Sequence, residues 1–204
     1  MSPRRSVLAS VGVAIGAVLG IGLIFGPEGA PSLSPLRVAA LAAVAEVVPA
    51  IYGSEDFARL APGFSPEILK KYPGYSTCGY LPSWVARRLG ARGRILQAGT
   101  NLVRDEAQKR GAWVEWKPGR LPKPGDFYAL VNAAGGVVHV GVVISATDAE
   151  WETADAGQGT PQVQQSAKVR RAFNALTGQL ASGTGTKLIG GWLDIEAFPF
   201  GEDK

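Results

Sequence analysis

The strongest constraint on this 204-residue chain is a change of texture at Gly125. Before it, apolar residues recur at three- and four-residue spacing between serine, threonine, proline and glycine punctuation, the mark of short amphipathic helices. After it they alternate. Asp126–Val131, Val137–Ile144, Ala149–Asp155, Gln162–Phe173 and Lys187–Phe198 read as successive strands, with turns at Asn132–Gly136 and Thr147–Asp148. Helices first and an antiparallel meander after them predict an α+β domain. Apolar residues make up 46% of the chain, which supplies a core and excludes a disordered polypeptide.

The helical part opens at Ser34-Pro35, a cap followed by proline at the first helical position, and the helix runs to about Val48. Ser54–Leu60 and Ser65–Lys71 read as two short helices with serine caps. Thr100 or Asn101 caps another, which continues to about Arg110 and stops at Gly111. Trp113–Trp116 alternates as a short strand.

Ahead of this domain, Ser6–Phe25 is uncharged and long enough to span a bilayer as a helix. Arg4-Arg5 precedes it, which keeps the short N-terminus in the cytoplasm and sends the remainder outward. The sequence therefore divides into residues 1–26, a transmembrane anchor or signal segment, residues 27–35, a linker rich in proline, glycine and serine, and residues 36–200, the domain. The expected location is extracytoplasmic, at the periplasmic face of an inner membrane or secreted, with membrane contact through the N-terminal helix. The net charge of +4 comes in scattered pairs such as Lys70-Lys71, Arg87-Arg88 and Arg170-Arg171. With no long basic run and no nucleic-acid motif, no nucleic-acid partner is expected, and the chain is read as a monomer.

There is one cysteine and one histidine. A single cysteine excludes an intrachain disulfide and a cysteine-based zinc site, and with one histidine no metal site and no cofactor is expected. Cys78 stands where a turn gives way to a helix. Ser76 and Thr77 read as N-caps, Leu81, Trp84, Val85 and Leu89 recur at helical spacing, and Gly90 ends the run. Unpaired N–H groups and the helix dipole at such a position favour thiolate.

His139 lies mid-strand in an apolar segment, sixty-one positions after the cysteine (139 − 78). A thiol–imidazole pair needs a base on rigid scaffold, near in space and not in sequence. A third group must orient the imidazole and fix its tautomer. The following strand ends at Thr153-Ala154-Asp155-Ala156-Gly157-Gln158, so Asp155 could lie beside His139, with Gln158 as the alternative. Asp155 is preferred because an anion best stabilises imidazolium.

These residues resemble the NlpC/P60 and CHAP class of papain-like cysteine peptidases over roughly Tyr72–Phe198. The likeness rests on Cys78-Gly79-Tyr80 opening an amphipathic helix, on Pro124-Gly125-Asp126-Phe127 entering the first strand, and on His139-Val140-Gly141-Val142-Val143. Many members carry Asp or Trp before the cysteine and Ser after it, where this chain has Thr77 and Gly79. The resemblance implies a papain-like α+β domain, with N-terminal helices and the nucleophile helix packed on a small antiparallel sheet. It implies cleavage of peptide or amide bonds in peptidoglycan stem peptides by Cys78, His139 and Asp155. A supporting tyrosine upstream is implied as well, Tyr72 or Tyr75, with Tyr80 a further candidate. Two other readings stay open: a non-catalytic module that binds cell wall or protein, and acyl transfer in an apolar groove lined by Trp84, Trp113 or Trp116.

Overall fold

The computed structural model describes residues 32–71, 77–91, 100–160, 163–183 and 185–201. Helix α1 (Pro35–Ala45) begins as its sequence dictates: Ser34 accepts a hydrogen bond from the Arg37 N–H, and proline occupies a first-turn position where no N–H is needed. Helix α2 (Glu55–Leu60) is capped the same way by Ser54, with Glu55 and Asp56 at the positive end of its dipole. Helices α3 (Pro66–Lys71), α4 (Tyr80–Arg88) and α5 (Thr100–Lys109) follow.

The strands are β1 (Ala50–Ile51), β2 (Trp113–Glu115), β3 (Phe127–Val131), β4 (Val137–Ala146), β5 (Glu150–Thr160), β6 (Val163–Asn174), β7 (Gln179–Ser182) and β8 (Gly185–Leu193). Each of β3 to β8 pairs antiparallel with the next, and β8 pairs back onto β3, so six strands close into a barrel. Strand β1 extends the wall beside β6, and β2 beside β8.

This closure corrects the expected fold. The α+β, papain-like arrangement of helices on a small open sheet is replaced by a closed antiparallel barrel with short helices against its outer wall. The family names drawn from that arrangement lose their structural support with it. The cause is β7, four residues that carry too little pattern to be read as a strand. It pairs with β6 through Phe173 and Leu180 and with β8 through Leu180 and Lys187, and so removes both free edges. Among the described residues no helix is long and apolar enough to cross a membrane. The expected span at Ser6–Phe25 lies outside those residues.

Period-two alternation sorts the strand residues into two cores. Tyr128, Leu130, Val143, Trp151, Phe173, Leu180, Ile189 and Trp192 fill the barrel, with every ring strand contributing. Their neighbours Phe127, Ala129, Val140, Val142, Ala154, Ala156 and Leu193 face outward and bury the apolar sides of α1, α4 and α5. The indole N–H of Trp84 donates to the Ala43 carbonyl at 2.9 Å and fixes α4 on α1. Trp84 and Trp113 pack against the outer core and Trp116 against the inner one, so these tryptophans do not line one apolar groove.

The Pro124-Gly125-Asp126 motif has a structural task. Arg37, on α1, is buried, and its Nη1 donates to Asp126 Oδ1 at 2.8 Å and to the Pro124 carbonyl at 2.7 Å. Nη2 reaches Asp194 at 3.0 Å and Nε lies 3.0 Å from Glu196. One guanidinium thus ties α1 to the entrance of β3 and the exit of β8. Burial pushes Asp126 up to about 6, against the opposing pull of the Lys123 amide and Arg37. Gly125 has φ +93° and sits 3.2 Å, at its Cβ position, from the Ala40 methyl, so only glycine lets α1 come this close.

Candidate active site

Strand register brings the chemistry together. Leu130 opposes His139 across β3–β4, and Val142 opposes Ala154 across β4–β5, which makes Asp155 a diagonal neighbour of His139 on the same face. The imidazole Nε2 lies 2.7 Å from Asp155 Oδ1. Asp155 has no exposed surface, and all its partners are side chains of the barrel wall. The Tyr128 hydroxyl donates to Oδ1 at 2.5 Å, the Thr153 hydroxyl to Oδ2 at 2.6 Å, and Arg171 Nη2 to Oδ2 at 3.1 Å. Four strands, β3 to β6, therefore hold one carboxylate.

Gly141 is the seat of that carboxylate. A Cβ at this position would collide with Asp155 Oδ1 and stand 2.7 Å from the Tyr128 ring and 2.8 Å from the Ala154 carbonyl. The glycine two residues after the histidine gives the acid room to lie across the strand.

The protonation states follow from this packing. Burial favours a neutral Asp155, but His139, Arg171 and Thr153 outweigh it and hold the carboxyl down to about 2. Burial likewise opposes charge on His139. Hydrogen bonds to Asp155 and to Cys78, with the charges behind them, raise it to about 9. Burial and the Asp155 charge push the Tyr128 phenol well above its ordinary value, so it remains a donor. With Asp155 ionised, Nε2 carries the proton toward it, and the ring nitrogen left for the cysteine is Nδ1.

Cys78 is fully buried in the outer core and shares a hydrogen bond with the His139 side chain. Its helix position differs from the sequence reading. Gly79, not Ser76 or Thr77, is the N-cap of α4, and no side chain caps it. Cys78 sits one residue before that N-cap, outside the helix, instead of within its first turn. Thr77 spends its hydroxyl on Gln164 Oε1, 3.0 Å away, and Ser76 lies outside the described residues. So does Tyr75, the first supporting candidate. Tyr80 is the first residue of α4 and packs between the outer core and the small cluster of Ala50, Phe57, Ala61 and Phe64.

Gln158, the alternative third residue, is not on the imidazole Nε2. A bulge between Asp155 and Gln158 sets two residues of β5 against one of β6, since Asp155 opposes Ala167 and Gln158 opposes Gln165. That extra residue turns Gln158 onto the face of Asp155. There it lines an open pocket of about 540 Å³ with His139, Arg171, Ser182 and Lys187.

No protein-family model matches the chain, and no curated protein matches it.

Tyr128, Thr153 and Arg171 were not singled out by the sequence reading. Arg171 left a trace there: it alternates with Phe173, so it points inward, and a buried arginine requires a buried acid. Among the described residues, no group of three or more histidine, cysteine and acidic side chains is placed to hold a metal ion.

Proposed function

We propose that this domain cleaves a peptide or amide bond by nucleophilic catalysis, with Cys78 as nucleophile, His139 as base and acid, and Asp155 as the group that orients the imidazole. The observation that carries this reading is that the His139 side chain has two partners, Asp155 Oδ1 at 2.7 Å from Nε2 and the Cys78 side chain. Imidazolium beside the cysteine favours thiolate. The thiolate attacks the carbonyl carbon and forms a C–S bond, and the oxyanion is met by the Cys78 N–H. The C–N bond then breaks and the imidazolium proton leaves with the amine. Imidazole next deprotonates a water, which attacks the thioester and releases the carboxylic acid and the thiol. Stem peptides of peptidoglycan, reached by an exported and tethered chain, are the substrate and setting that go with this proposal.

One observation favours a second reading. Cys78 has no exposed surface, as expected of a structural thiol in a module that only binds. Alkylation of the sole cysteine separates the two. With iodoacetamide on the folded chain, the catalytic reading expects reaction at pH 6, where a free thiol of pKa about 8.5 is almost wholly protonated. In His139→Ala the rate should drop at least tenfold at that pH. Labelling that occurs only in denaturant would overturn catalysis and leave the binding module.

A further inference from the structure

The pocket beside His139 is cationic, and its charge is not balanced from within. Three basic side chains line it, His139, Arg171 and Lys187, and the described residues of its lining include no carboxylate. Beneath them, Asp155 serves both His139 and Arg171, the one acid to do so among the described residues. Arg171 is fully engaged: Nη2 on Asp155, Nη1 on the Ala181 carbonyl at 3.1 Å, and Nε on the Thr153 hydroxyl at 3.3 Å. Lys187 is different. It is half-buried at the start of β8, and its side chain has no hydrogen bond or ion pair with the described residues. Gln158 is turned into the pocket by the β5 bulge, and its amide has no hydrogen bond with the described residues. Gly157 and Gly183 are also part of its lining.

We propose that this pocket binds a carboxylate carried by the substrate next to the scissile bond, with Lys187 as its counter-ion and the Gln158 amide as a hydrogen-bond donor, so that the preferred substrates are acidic peptides or amides. The inference rests on the catalytic reading of Cys78 and His139, and it adds what those residues act on. With imidazolium, guanidinium and ammonium set against one carboxylate, the site stays positive even when Cys78 is a thiolate. An anionic group therefore meets an attractive field. A carboxylate close to Lys187 would replace water around a cation that the described residues leave unpaired.

The test compares two alkylating agents of nearly equal size on the sole cysteine, anionic iodoacetate and neutral iodoacetamide, at pH 7 and low salt. The proposal expects the iodoacetate-to-iodoacetamide rate ratio to exceed that of a free cysteine by about fivefold, the effect of one unit charge at about 4 Å in water. Lys187→Met should bring the ratio down several-fold, while Lys187→Arg should keep it. N-acetylglutamate should protect Cys78 better than N-acetylglutamine in the wild type, with the difference lost in Lys187→Met and reduced in Gln158→Leu. If neither agent labels the folded chain, the catalytic reading fails. If both label it and the ratio is the same in wild type and Lys187→Met, this inference fails and the catalytic reading stands.

Discussion

The Asp155 carboxylate lies across Gly141, in the space that any side chain at that position would need. The His139-Val140-Gly141 run is thus one device: the histidine supplies the ring, and the glycine supplies the place from which an acid on the next strand reaches it. Gly141→Ala should cost about 3 kcal/mol, the upper part of the range for overpacking, because the methyl meets a fixed carboxylate and a strand carbonyl together. Urea unfolding measures it. A loss under 0.5 kcal/mol would mean that Asp155 is not held over the strand.

Stability should fall at both ends of the pH scale for reasons local to this pair. Asp155 is held at about 2, below its ordinary 3.8, so its contribution is present above pH 4 and is lost as pH falls through about 2. His139 is raised from 6.5 to about 9, so its contribution is present below pH 6.5 and is lost as pH rises through about 9. Asp126, pushed up to about 6, also costs stability as pH rises, so the comparison must be between chains. Unfolding free energies from pH 2 to 10 for wild type and His139→Gln should converge as pH approaches 10. Parallel curves would deny the His139 shift.

Arg171 is a positioning residue for the site. Arg171→Met leaves Asp155 with one cation instead of two and should cost about 3 kcal/mol, as for other broken buried pairs. The acid limb of the stability curve should then move to higher pH, because Arg171 helps to hold the carboxyl down. Loss of stability with no movement of that limb would make Arg171 a filler of the barrel only.

Arg37→Met tests the clamp between α1 and the barrel. Asp126 would be left buried without its cation, at a cost of about 3–5 kcal/mol. Asp126 already stands near pH 6, so protonation should relieve part of this loss, and the variant should suffer less at pH 5 than at pH 8. Equal losses at both pH values would place the cost in packing and not in charge.

Asp155→Asn should keep the barrel but reverse the hydrogen-bond preference at Nε2, and cysteine-dependent activity should drop by about 10²–10⁴. Cys78→Ser should abolish it with a stability change of about 1 kcal/mol, since the replacement is nearly isosteric but sets a hydroxyl in an apolar core. A Cys78→Ser protein that retained amide cleavage would move the nucleophile elsewhere.

The pairing of sequence and structure is uneven along the chain. Helix starts at Ser34-Pro35 and Ser54 and the strand at Phe127 were legible because caps and alternation act within a few residues. The start of α4 is not legible in this way, since Thr77 has the side chain of a cap but bonds to Gln164, eighty-seven positions away, and Gly79 is the N-cap. Asp155 could be named from the position of its strand. Tyr128, Thr153 and Arg171, which hold it, could not, because ordinary strand residues become site residues only when neighbours are known.

By itself the sequence determined the local elements, the inward or outward sense of most strand residues, and the scarcity of chemistry: one thiol and one imidazole. These follow from hydrogen bonding and side-chain spacing over short distances. Only the tertiary structure decided that the sheet closes, that a bulge turns Gln158 into the pocket, and that one buried acid serves both a histidine and an arginine. Closure hangs on four residues of β7, whose pairing energy comes from β6 and β8 and is not written in β7 itself.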